Sequence, residues 1–239
     1  MNSIGHIVHT ISYMAMPLLL AMVFHEYAHG WVANHYGDST ARLEGRLTFN
    51  PSAHIDPFGT ILLPLLCLIF PTGILLGYAK PVPVNAWNLR NPRRDMALVA
   101  AAGPGMNLLL AIASALALSV ILAIDPSVAD SISLRGPGAR RDLLGMLLVP
   151  LAWMCAYSVL INVVLMVFNL IPIPPLDGGR ILVSLLPPQQ AEALSRLEPY
   201  GMLIIFLLVM VDPQIHFFGS LMGPLVNTLT TTIISTFAS

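Results

Sequence analysis

The chain has 239 residues, of which 56% are hydrophobic and 10% charged, with 11 lysines and arginines against 12 aspartates and glutamates. A soluble domain carries about 25% charged residues, so this composition excludes a soluble globular enzyme, a nucleic-acid binder and a disordered chain, and directs most of the surface toward lipid. The net charge of −1 points to neither an acidic nor a basic partner.

Five apolar blocks follow one another along the chain. The first, from about Ile4 to Val32, has no basic leader in front of it and runs into His25, Glu26 and His29 rather than a small-residue cleavage site, so it is expected to stay as a membrane segment. The second, Phe58 to about Leu76, is broken by Pro64, Pro71 and Gly73 and suits a half-spanning or re-entrant segment. The third (Met96 to Ile124) and fourth (Leu143 to Leu170) are long enough to cross the hydrocarbon core, which takes about 20 apolar residues. The last, Tyr200 to Phe237, is interrupted by Asp212, Pro213 and Gln214 and reads as one broken helix or two short ones.

Between the second and third blocks lies Gly77-Tyr78-Ala79-Lys80-Pro81-Val82-Pro83-Val84-Asn85. Prolines at alternate positions forbid a helix and favour an extended chain. Unpaired backbone cannot sit in lipid, so this stretch must lie in water, against protein or along a cavity. Together the blocks predict an all-α polytopic membrane protein. It is a bundle of about five to six membrane segments, one of them re-entrant, with a short extended strand. Residues 1–239 form a single integral-membrane domain, since no loop can hold a second core.

His25-Glu26-Tyr27-Ala28-His29 matches H-E-x-x-H. Positions four apart share one helix face, so both imidazoles can grip one metal, with Glu26 beside them as general base for an activated water. Two histidines and a glutamate inside a membrane stretch are expensive and mark function. The bland alternative is a polar patch lining a channel.

A zinc hydrolase needs a third protein ligand, for which Asp177, His54, Asp56 and Glu44 are candidates. Asp177 follows a proline-broken helix end and precedes Gly178-Gly179; it reads equally as a ligand turned toward the bundle or as the N-cap of a following helix. His54 also reads as a partner for the outer nitrogen of a metal-bound histidine. Asn107, Asn162 and Asn169 are candidates for lining a water route, although Asn162 reads better as a helix-to-helix hydrogen bond.

These motifs in combination resemble the site-2 protease family of intramembrane zinc metalloproteases, in its compact prokaryotic form without PDZ or CBS domains. The likeness rests on His25-Glu26-x-x-His29 paired with Asn169 and Leu176-Asp177-Gly178. Gly103-Pro104-Gly105-Met106-Asn107, Lys80-Pro-Val-Pro-Val-Asn85 and His54-Ile-Asp-Pro57 add to it, so that it spans about residues 10 to 210. The resemblance implies one Zn2+ per chain held by His25, His29 and Asp177, with Glu26 as catalytic base. It sets Asn169 near the substrate backbone or oxyanion. The expected reaction is hydrolysis of a peptide bond in or near the transmembrane segment of a membrane-protein substrate. Gly77, Tyr78, Ala79, Lys80, Pro81 and Val82 are then candidates for pairing with an unwound substrate.

Topology gives an independent check. His25 and His29 lie near the end of the first block and Asp177 just past the fourth, so one metal requires those blocks to run in the same direction and one block between them not to span. If the second block re-enters, eight basic residues (Arg42, Arg46, Lys80, Arg90, Arg93, Arg94, Arg180 and Arg196) share a side against three (Arg135, Arg140 and Arg141). The positive-inside rule then opens the site toward the cytoplasm of a prokaryotic inner membrane. A spanning second block gives a five-to-six split and no orientation. The rival functions are a metal-ion transporter, which would distribute polar residues through both leaflets, and a non-proteolytic metal-binding membrane protein, which would not need Glu26.

Overall fold

The structure is a computed structural model describing residues 3–62, 77–133 and 142–238. Among these residues every regular element is helical and no strand occurs. In chain order they are α1 (Ser3–His35), α2 (Thr40–Leu43), α3 (Pro92–Ile124), α4 (Val128–Ser133), α5 (Leu143–Asn169), α6 (Asp177–Leu185), α7 (Pro188–Ser195), α8 (Glu198–Ile215) and α9 (Phe217–Phe237). Short 3-10 turns at Pro51–His54 and Ala86–Asn88 and a π turn at Pro57–Leu62 complete them.

Among the described residues, three helices are long and apolar enough to cross a membrane: Ile11–His35 of α1, and the whole of α3 and α5. The first has a mean hydropathy of 1.2 against 2.5 and 2.2 for the others; it carries His25, Glu26 and His29 within its apolar run. α7 and most of α8, bent by 60°, pass the same test as a pair. The chain is therefore an integral membrane protein; its described residues hold three such segments, or four with the bent pair, where the sequence leads to an expectation of five to six over the whole chain. The re-entrant second block lies largely outside the described residues. The final region divides at His216, in the left-handed conformation (φ 51°), rather than at Asp212-Pro213-Gln214. Pro213 removes one hydrogen-bond donor near the end of α8, and the helix runs on past it.

Residues 77–85 form no helix, as the prolines dictate, and pair with no strand; Asn85 at their end is extended (φ −104°, ψ 105°). Two of their hydrogen bonds go instead to the π turn and the 3-10 turn. Tyr78 N–H donates to Gly59 O (3.0 Å) and Lys80 N–H to His54 O (2.8 Å).

The chain divides into two compact units. One comprises Met1–Ala21, Asn107–Val164 and Val226–Ser239. Its helices approach closely through fully buried Ala21, Ala111, Ala115 and Ala152, small residues of the kind that serve helix packing where lipid supplies no hydrophobic drive. A polar ladder links α3 to α5. Asn107 Nδ2 donates to Asn162 Oδ1 (2.8 Å), Asn162 Nδ2 to Ser158 O (2.9 Å), and Ser114 Oγ to Ser158 Oγ (2.7 Å).

The other unit comprises Met22–Met106 and Leu165–Leu225. Here Ala33, Leu89 and Val99 form one buried cluster, flanked by Val32, Tyr36, Val84 and Met96. Asp38, fully buried just past α1, fastens the extended segment to that helix end. It accepts from the Thr40 N–H and hydroxyl, the Asn88 side chain (3.0 Å) and the Asn85 N–H (2.7 Å). Burial alone pushes the Asp38 carboxyl up, but hydrogen bonds from Thr40, Asn88 and Asn85 outweigh it and hold it below the usual carboxylate range.

Asp38→Ala is expected to cost about 1.5–3 kcal/mol, read as a lower melting temperature in detergent. Because the folded pKa is depressed, this stabilisation is present above the unfolded value of about 3.9 and is lost as pH falls through the folded one. The gap between wild type and variant should therefore close in acid.

Candidate metal centre

His25 and His29 lie one turn apart on α1, with their Nε2 atoms 3.1 Å from each other. His29 Nδ1 stands 2.7 Å from the carbonyl of Val99 on α3. A carbonyl can only accept, so Nδ1 carries a proton and Nε2 is the nitrogen that faces inward. Asp177 brings Oδ2 to 3.2 Å from His25 Nε2 and Oδ1 to 3.4 Å from His29 Nε2. All three residues are buried, and one ligand atom from each lies within 4.8 Å of the others.

Asp177 arrives there through local sequence. α5 stops at Asn169 because the prolines at 172, 174 and 175 cannot continue a helix. Asp177 is the first residue of α6; the N-cap is Leu176, and no side chain caps the helix. The carboxylate is thus not the cap, the reading that the sequence left equally open. Gly178 and Gly179 bring the start of α6 onto the preceding loop: a Cβ on Gly178 would lie 2.6 Å from Ile171 O, and one on Gly179 2.5 Å from the Ile173 carbonyl carbon. Only residues without a Cβ allow that approach.

A cation fits this donor set. Buried Asp177 Oδ2 receives no hydrogen bond although His25 Nε2 is near, and a buried carboxylate oxygen without a donor is costly unless a positive charge meets it. Two imidazoles and one carboxylate are a zinc-type set that leaves a fourth position open. Gly103 of α3 closes one side, since a Cβ there would come 2.6 Å from His25 Nε2 and also overlap His29 Nε2.

These three residues and Glu26 line a cavity of about 580 Å³, most of whose wall is apolar, including Met96, Phe168 and Phe206. Glu26 Oε2 accepts from the Val82 N–H at 2.8 Å. Gly77, Tyr78, Ala79, Pro81 and Val82 also face the cavity, as does Asn169, whose Nδ2 donates to Leu165 O (2.9 Å). Chemically, a base beside a site for a Lewis-acidic metal in a largely apolar cavity is suited to activating water for hydrolysis.

Other candidates go elsewhere. Buried His54 places Nε2 2.9 Å from Thr48 O, and Asp56 accepts from the Gly59 N–H (2.7 Å). Neither belongs to the metal-binding group found among the described residues. The partner on the outer nitrogen of His29 is the Val99 carbonyl rather than His54. Asn107 and Asn162 spend their amides on the helix-to-helix ladder. Residue chemistry gave no sign of Val99, because a main-chain acceptor has no side-chain signature. Gly103 stood in a noted motif without a role.

The family model described as peptidase family M50 matches residues 13–211 of this chain. A Bacillus subtilis protein named "Putative zinc metalloprotease YwhC" is 35% identical over 228 residues, covering 95% of this chain and 91% of its own length. A Mycobacterium tuberculosis protein named "Putative zinc metalloprotease Rip2" is 30% identical over 205 residues, covering 84% of this chain and 68% of its own length. No solved structure matches the chain.

Proposed function

We infer that this chain, which belongs to peptidase family M50 and is a metalloprotease, hydrolyses a peptide bond in or beside the transmembrane segment of membrane-protein substrates with one zinc per chain. The observation that carries this reading is the convergence of His25, His29 and Asp177 beside Glu26 in a cavity largely walled by apolar side chains. Zinc held by these three residues would supply electrophilic activation of water and of the scissile carbonyl. Glu26 takes the proton from the attacking water as its oxygen bonds to the carbonyl carbon. It returns that proton to the nitrogen as the C–N bond breaks. Burial of the histidines and aspartate keeps their donor atoms fixed and water scarce except at the cavity.

A substrate helix hides its carbonyls and must unwind to reach Glu26. The extended segment then offers limited pairing. Alternate N–H groups point to opposite sides of an extended chain, and those of Tyr78 and Lys80 are committed to Gly59 and His54. The Val82 N–H is held by Glu26 and Pro81 has no N–H to add, which leaves Ala79 between the two committed groups. We therefore assign backbone pairing with substrate chiefly to Ala79, and a polar contact to Asn169. The eight-to-three distribution of basic residues supports a site opening toward the cytoplasmic side of a prokaryotic inner membrane.

The test is purified protein in lipid vesicles with a transmembrane reporter helix, stripped by chelator and then resupplied with zinc. Cleavage inside the apolar segment, lost on stripping and restored at one zinc per chain, is the expected result. Zinc flux without cleavage would favour transport instead, and cleavage indifferent to metal removal would overturn the zinc assignment.

A further inference from the structure

We propose that the backbone N–H of Val82 is a positioning group for Glu26, holding one carboxylate oxygen so that the other faces the reacting water. This rests on the reading of Glu26 as the base. The hydrogen bond from Val82 N to Glu26 Oε2 is 2.8 Å long. Prolines at 81 and 83 have no N–H, so Val82 carries the single main-chain donor of that triplet, and both flanking φ angles are locked. The donor is thus rigid as well as solitary.

The surroundings hold it in place from every direction. Upstream, Lys80 N–H is tied to His54 O (2.8 Å), and downstream Asn85 N–H is tied to Asp38 (2.7 Å). Arg46 Nη2 donates to the carbonyls of Lys80 (2.9 Å) and Pro81 (3.3 Å). The Val82 side chain is buried against Gly30, where a Cβ would come within 3.0 Å of Val82 Cγ1.

Gly30 and Glu26 are four residues apart and share a face of α1, just as His25 and His29 share the neighbouring one. One turn of helix therefore serves two partners. The 25/29 face meets Asp177, and the 26/30 face meets the proline-framed segment. A carboxylate on a flexible two-carbon stem beside a metal site would otherwise sample several rotamers, including ones that reach for the metal. A charge-assisted hydrogen bond to a fixed amide selects one.

The test replaces Val82 by its α-hydroxy acid through nonsense suppression, which converts the amide into an ester and deletes only the N–H. Reporter cleavage should fall in kcat by roughly 10–100-fold, the worth of a hydrogen bond to a charged group, with KM and zinc content unchanged. In a Glu26→Gln background the same ester should leave the residual rate unaltered, because the group it positions is no longer a base. An unchanged kcat, or an equal loss in both backgrounds, overturns the proposal. If the ester chain fails to load zinc, Gly30→Ala carries the test by pressing on Val82 Cγ1 while leaving every ligand in place. Lower kcat at constant KM and zinc supports the proposal, and unchanged kcat overturns it. Failure of the protease reading looks different: Glu26→Gln would then cleave as well as wild type, whatever stands at Val82.

Discussion

Glu26→Gln is expected to reduce cleavage of a transmembrane reporter by about 10²–10⁴-fold, the usual contribution of a positioned general acid–base group, while one zinc per chain stays bound. The substitution is nearly isosteric and touches none of the three buried donors gathered by α1 and α6. The amide oxygen of Gln can still accept from the Val82 N–H, so the segment that packs over it should hold its place. What is lost is the capacity to take up a proton. Rates measured beside zinc content decide the matter. Undiminished cleavage would remove Glu26 from the chemistry, and loss of zinc along with rate would make it a structural group instead.

Asp177→Ala is expected to weaken zinc binding by more than the 10–100-fold typical of changes one shell further out, because it removes the carboxylate facing both histidines. Gly103→Ala should have a similar effect without deleting any ligand. Its methyl would overlap the two Nε2 atoms, and the helix itself should tolerate alanine better than glycine. Zinc titration of the chelator-stripped protein in detergent measures both. Tight binding by Asp177→Ala would remove Asp177 from the ligand set, and tight binding by Gly103→Ala would mean that α3 can retreat from the site.

The pattern of what was legible follows from periodicity and from which groups leave a trace in side-chain chemistry. His25, Glu26 and His29 stood out because helical spacing is short-range and polar residues are conspicuous in an apolar run. The long helices were legible for the same reason, and α3 and α5 begin or end within a few residues of the apolar blocks. Asp177 remained ambiguous because a cap and a ligand look alike in sequence. The N-cap at Leu176 removes the capping reading, and close backbone packing around Gly178 and Gly179 sets where the carboxylate stands.

That residues 77–85 form no helix followed from prolines, whereas their partners did not, since those are carbonyls of a 3-10 and a π turn and two carboxylates distant in sequence. Asp38 illustrates the same limit. Beside Ser39 and Thr40 it resembles an ordinary turn residue, and only the fold brings Asn85 and Asn88 to it. The break falls at His216 rather than at Asp212-Pro213 because proline near a helix end removes one donor without compelling a stop.

The shared turn of α1 also constrains how such an enzyme can be switched. His25, Glu26, His29 and Gly30 ride on one helix, so a slide or rotation of α1 carries both imidazoles and the carboxylate together and cannot displace one while sparing the other. Independent control has to come through the parts that meet the helix from outside. A signal acting on the start of α6 would govern metal occupancy, whereas one acting on the proline-framed segment would govern turnover with the metal still in place. The two modes would be separable in a single preparation, one as a change in bound zinc and the other as a change in rate at constant zinc.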